Sequence, residues 1–226
     1  MYILTLYVSF VICFVMKKTQ LFVSVFSYKR VIILVIMVFQ ERNFLARMIM
    51  ALNISPTTIN VGFTVYSSDI ERHVGLVPFR PKIVLNAQAK MMDHPTGIAT
   101  NTAKGIMKVR DTFRNQPASR SNAPKIMIVV TDGSSENPAE TIRQAQLAKA
   151  DGIRIVAVGV GNNVFEEELI EIATNIRKYY RAVDFAALQS IESDIRNMIC
   201  RGIGKLATLY YQQSTIIKHY FIKCAH

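Results

Sequence analysis

Lys125-Ile126-Met127-Ile128-Val129-Val130-Thr131-Asp132-Gly133-Ser134-Ser135-Glu136 is the stretch whose reading decides the fold. Ile126 to Val130 is an unbroken apolar, largely β-branched run with no polar alternation, the pattern of a strand buried on both faces. It stops at the polar turn Thr131 to Ser135, at the strand's carboxyl end, where open α/β sheets leave a ligand-binding crevice. Pro138 suits a first helical turn, Thr141 to Ala150 is rich in helix formers, and Gly152 closes that helix. A second buried-type strand follows at once over Ile153 to Val160. Strand, helix and strand with short connections predict a right-handed parallel crossover and an α/β fold.

The chain of 226 residues is long enough for one domain with extensions. Its formal charge of +11 is uneven. Residues 1–60 carry six Lys/Arg against Glu41, and residues 201–226 carry Arg201, Lys205, Lys218 and Lys223 with no acid, which leaves only +2 for residues 61–200. The basic surplus belongs to the flanks, so the central part lacks the footprint of a nucleic-acid binder. Cys13, Cys200 and Cys224 have no metal-finger spacing. His73, His94, His219 and His226 have no zinc spacing, and no serine elbow or phosphate-binding lysine loop occurs. Gly159-Val160-Gly161 lacks the third glycine of a dinucleotide loop. The chain is therefore read as non-enzymatic.

Three regions follow from composition. Residues 1–39 are a hydrophobic N-terminal segment with three open readings: secretory signal, membrane anchor or a replacement first strand, with Leu21–Phe26 and Val31–Val38 as β-prone runs. Residues 40–200 are the domain. Residues 201–226 are a basic tail. Within the domain, Asn43–Leu52 reads as a helix with Phe44, Leu45, Met48, Ile49 and Leu52 inward. Ile59–Tyr66 reads as a strand, Ile70–Leu76 as an antiparallel edge strand, Ile83–Met92 and Thr102–Phe113 as helices. Phe165–Thr174 reads as a further helix, and Tyr179–Val183 as a last strand before a helix capped by Asp184. Glu166, Glu167, Glu168 and Glu171 read as a solvated acidic helix start, and Ser134 and Ser135 as candidate caps of the helix that begins near Pro138.

Val-Val-Thr-Asp-Gly (129–133), then a helix, then Asp-Gly-Ile-Arg-Ile-Val-Ala-Val-Gly-Val-Gly (151–161), resembles the von Willebrand factor type A domain of matrilins, collagens and integrin inserted domains. Leu52–Gly62 and Thr64–Ser68 look like the family's second-strand region, Thr96–Ile106 like its threonine loop, and Phe165–Ala173 with Asp184–Cys200 like its closing helices. The resemblance spans roughly residues 40 to 200, and five motifs in the right order make it specific. It implies a Rossmann-like, three-layer, doubly wound sheet, mostly parallel with one antiparallel edge strand and helices on both faces. It also implies a non-catalytic adhesion module for extracellular matrix proteins such as collagen, secreted or membrane-anchored through residues 1–39. An intracellular scaffold or assembly subunit that uses the same domain without metal is the alternative. Cys200 matches a cysteine that many secreted members pair in a disulfide, with Cys13 and Cys224 as the available partners.

The resemblance also implies a metal-ion-dependent adhesion site, in which an Asp-x-Ser-x-Ser turn, a threonine and an aspartate hold a divalent cation. Thr100 and Asp132 match the last two. No Asp-x-Ser-x-Ser occurs in residues 1–60. Mg²⁺ takes six oxygens in near-octahedral geometry, so this pair makes at best a weak, incomplete Mg²⁺ site.

Overall fold

The computed structural model describes residues 9–16, 20–25, 42–56, 58–92, 99–116, 118–119, 123–184 and 187–197. The Val31–Val38 run, Cys200 and the basic tail lie outside them. The strands are β1 (Ser9–Met16), β2 (Gln20–Val25), β3 (Ile59–Tyr66), β4 (Ile70–Val74), β5 (Lys125–Thr131), β6 (Ile153–Val160) and β7 (Tyr179–Ala182). The helices are α1 (42–51), α2 (Lys82–Lys90), α3 (Thr102–Asn115), α4 (Pro138–Ala150), α5 (Glu166–Ile172) and α6 (188–197).

All described strands join one sheet in the order β4-β3-β1-β2-β5-β6-β7. β5 runs parallel to β2 and β6, and β6 parallel to β7, while β4 is antiparallel to β3 at the edge. β5 carries the core: Ile126, Ile128 and Val130 face one layer, Met127 and Val129 the other, and all five are buried. Each such side chain contributes roughly 2 kcal/mol on leaving water, which is why an unbroken apolar run fits only this central place. On one face Phe44, Met48 and Ile49 of α1, Leu85 of α2 and Leu188 of α6 close the core. On the other, Ile106 and Val109 of α3, Ala145 of α4 and Leu169 of α5 do so. The result is the three-layer, doubly wound α/β architecture.

Two strands address one slot between β3 and β5. Thr64 of β3 is registered against His73 on one side and against both Val11 and Ser24 on the other. β1 and β2 both pair with β3 and with β5. Direction separates them. β2 runs parallel to both β3 and β5, whereas β1 runs antiparallel to both. β2, α1 and β3 then make the parallel crossover that an interior strand of a doubly wound sheet requires. The antiparallel members of the sheet are β1 and, at the edge, β4.

α3 sits close over β3 because Gly105 has no side chain. A Cβ there would lie 2.7 Å from two ring carbons of the fully buried Tyr66. Gly105→Ala gains helix propensity but must displace that ring, so a net loss of about 1–2 kcal/mol is expected by urea denaturation. A variant as stable as the wild type would show that the ring yields freely.

Candidate functional site

The carboxyl ends of β3 and β5 bring three loops to one rim of the sheet. At the end of β3, Ser67 accepts a hydrogen bond at its carbonyl from Asn101 N–H (2.7 Å), and Ser68 Oγ accepts from Ala99 N–H (3.1 Å). Asn101 then caps α3, its side chain accepting from Lys104 N–H at 3.0 Å. Thr100 lies between these anchors, 2 % exposed. Its carbonyl accepts from Glu136 N–H at 2.8 Å, a direct bridge to the loop that carries Asp132. The threonine and aspartate loops therefore share one rim.

Asp132 is half-buried at a tight turn made by its neighbours. Thr131 Oγ1 donates to the Gly133 carbonyl at 3.0 Å, and Gly133 N–H approaches the same hydroxyl at 3.4 Å. Beyond the turn Ser134 is exposed and Ser135 buried. Neither serine caps α4: Asn137 does, its side chain accepting from Glu140 N–H at 3.0 Å. A helix-cap reading of Ser135 fails because a stronger acceptor claims it.

That acceptor is Glu168 of α5, only 3 % exposed. Its Oε2 accepts from Ser135 N–H at 3.2 Å and its Oε1 from the Ser135 hydroxyl. Thr141 Oγ1 stands 3.0 Å from the same serine oxygen. This corrects the solvated reading of the 166–168 glutamates. Glu166 pairs with Arg181 at 3.0 Å and Glu167 is exposed, but Glu168 points inward and holds the Asp132 loop down. An inward glutamate among four on one short helix leaves no trace in composition. The signal was its position one residue before the inward Leu169, which puts it on the flank of the buried face.

A second carboxylate at the rim, Asp69, is held below the usual carboxylate range by Ile70 N–H and Lys104. Its Oδ2 lies 3.2 Å from Lys104 Nζ.

The family model of the von Willebrand factor type A domain matches residues 37–194, and the chain belongs to that family. It is 32 % identical over 162 residues to matrilin-1 of Gallus gallus, covering 70 % of this chain and 32 % of that protein. It is 31 % identical over 169 residues to the collagen alpha-1(XX) chain of Homo sapiens, covering 73 % of this chain and 13 % of that one. The chain thus spans a third or less of these relatives. Among solved structures, proximal thread matrix protein 1 of the mussel byssus, described with a zinc-occupied adhesion motif, superimposes with a TM-score of 0.61. That match has 21 % identity and covers 69 % of this chain and 39 % of that one, a likeness of fold.

Whether this chain's residues suit a divalent cation is a matter of donors. Among the described residues no three His, Cys, Asp or Glu side chains converge. The residues that follow β2 in the chain are Phe26-Ser27-Tyr28-Lys29-Arg30, which contain no carboxylate and two cations. One threonine hydroxyl and one carboxylate fall well short of the oxygen shell Mg²⁺ demands. Thr100 and Asp132 alone do not fit the metal.

Proposed function

We propose that this chain is a non-catalytic adhesion domain that binds extracellular matrix proteins of the collagen class through the Thr100–Asp132 rim, without a resident metal. The observation that carries the reading is the Glu136 N–H to Thr100 carbonyl bond, which locks two loops into one surface before any ligand arrives. Preorganised loops on a rigid sheet lower the ordering cost of binding. Kinship to matrilin and collagen chains supplies the partner class. Asp132 then acts as an ordinary charged contact, for example to an Arg or Lys of the ligand.

The test is surface plasmon resonance of the full chain on immobilised fibrillar collagen. Asp132→Ala is expected to weaken binding about fivefold, the scale of one charged contact at an interface. Mg²⁺ and EDTA are expected to leave the wild-type response unchanged. No binding to collagen would remove the partner class, and loss of binding in EDTA would restore a metal-dependent mechanism.

A further inference from the structure

The end of the sheet opposite the rim begins with cations. Lys125 opens β5, Arg154 is the second residue of β6, and Lys178 immediately precedes β7. Ile126 is registered against Arg154 and Ala157 against Tyr179, so the three strands start side by side. Neighbouring strands lie about 4.8 Å apart, which spreads the three cations over roughly 10 Å. Arg177 stands exposed beside Lys178. α6 adds one more: Asp194 acts on Tyr180, the second residue of β7, so α6 descends along that strand and carries Arg196 to the same end. The near-neutral total of residues 61–200 conceals this row. The acids that follow the same strands, Asp132, Glu136, Glu166, Glu167 and Asp184, stand at the rim end.

The charges of the row are unmet. Other cations of this end are engaged, Arg110 with Asp151 at 2.6 Å and Lys149 with the Glu171 carbonyl at 2.5 Å. Among the described residues no ion pair or side-chain hydrogen bond engages Lys125, Arg154, Arg177, Lys178 or Arg196, and Arg196 Nε is buried without a partner. Partial burial lowers the pKa of Arg154. Partial burial lowers that of Lys178 too, and the neighbouring Arg154 charge lowers it further, with no carboxylate to offset either. Cations gathered without counter-charge repel one another, and an anion bound across them relieves that cost. A linear polyanion suits a row better than a compact ion, since its charges repeat along the line. Beyond α6 the sequence continues with Arg201, Lys205, Lys218 and Lys223 and no acid, which extends the same sign.

We propose that the row at the amino ends of β5, β6 and β7 binds a sulfated polysaccharide, its sulfates against Lys125, Arg154 and Lys178. The choice of this polyanion over others rests on the extracellular reading above, whereas the surface itself is separate from the Thr100–Asp132 rim.

The probe is a fluorescein-labelled heparin oligosaccharide titrated with the full chain and followed by anisotropy. Binding should weaken with added NaCl along a straight line in logarithmic coordinates. A hyaluronan oligosaccharide of equal length, with carboxylates but no sulfate, should bind about tenfold more weakly or worse. The double variant Arg154→Gln/Lys178→Gln should keep the circular dichroism of the wild type with a Tm no lower. Its heparin affinity should fall about tenfold or more and its salt slope by roughly two. Its response on collagen should equal that of the wild type, so failure at the row and failure at the rim are told apart. Unaltered heparin affinity in the double variant would move the contact to the chain's basic ends and overturn the proposal. So would a single-stranded oligonucleotide of equal charge bound as tightly as heparin, because the row would then not select sulfated sugar.

Discussion

Glu168→Ala is expected to destabilise the domain by about 3 kcal/mol, because it strips the acceptors from two buried donors of one residue. Both carboxyl oxygens are engaged by Ser135, through its N–H at 3.2 Å and through its hydroxyl. Alanine leaves the N–H with no acceptor in a place that water does not reach freely, at about 1–3 kcal/mol for each unmet donor, and opens a void besides. For a domain of this size that corresponds to a fall in Tm of roughly 6–12 °C. Glu168→Gln keeps one carbonyl acceptor and should lose about half as much. Hydrogen exchange supplies the local readout: the Ser135 and Glu136 amides should lose protection in the alanine variant ahead of those of β6. Since Glu136 N–H is the bridge to Thr100, ligand binding at the rim should weaken although Glu168 itself touches no ligand. A Tm within about 2 °C of the wild type, with unchanged exchange at these two amides, would show that the buried carboxyl is dispensable.

The contrast between Glu168 and β5 shows what the chain discloses and what it conceals. β5, α4 and β6 were legible because their environments are uniform along the chain: an unbroken apolar run fits only a strand covered on both sides. α3, the antiparallel β4 and the Asp184 cap were legible for similar reasons, the last confirmed by Ala187 N–H donating to Asp184 Oδ1 at 2.8 Å. Each of these signals is local. Glu168 is a tertiary fact: the carboxyl is buried because Ser135, 33 positions earlier in the chain, is folded back beneath α5. Asn137 displaced the serines as the α4 cap for the same reason, since Ser135 was already committed elsewhere. The slot between β3 and β5 was hidden in another way. Residues 1–39 offer several β-prone runs, and propensity alone does not say which of them join the sheet or in which direction. Direction of pairing, available only from the sheet, distinguishes Gln20–Val25, parallel to β3 and β5, from Ser9–Met16, antiparallel to both.

Acid sensitivity follows from His73, a residue whose scattered place among four histidines suggested no role. The ring bridges the β4 edge to α3. Thr112 Oγ1 donates its proton to the Lys108 carbonyl at 2.8 Å, so at 3.2 Å it can only accept from His73 Nε2–H. Nδ1 is then the bare nitrogen, and it accepts from Thr64 Oγ1 at 2.8 Å. The neutral ring satisfies every group; a protonated one would oblige the Thr64 hydroxyl to turn its proton away and accept from Nδ1–H instead. Burial, with Lys108 and Arg80 nearby, lowers the ring's pKa from 6.5 to about 4. The folded value lies below the unfolded one, so unfolding takes up a proton. The stabilisation is complete above pH 6.5 and drains away as pH falls toward 4, by about 3 kcal/mol in all. Most of this falls above the range where ordinary carboxyls titrate, so urea midpoints measured from pH 7 down to about 4.5 isolate it. His73→Gln, which cannot titrate, should be weaker at pH 7 and nearly flat across that interval. A wild-type slope that persists unchanged in His73→Gln would assign the acid sensitivity to other groups and leave the imidazole a packing element alone.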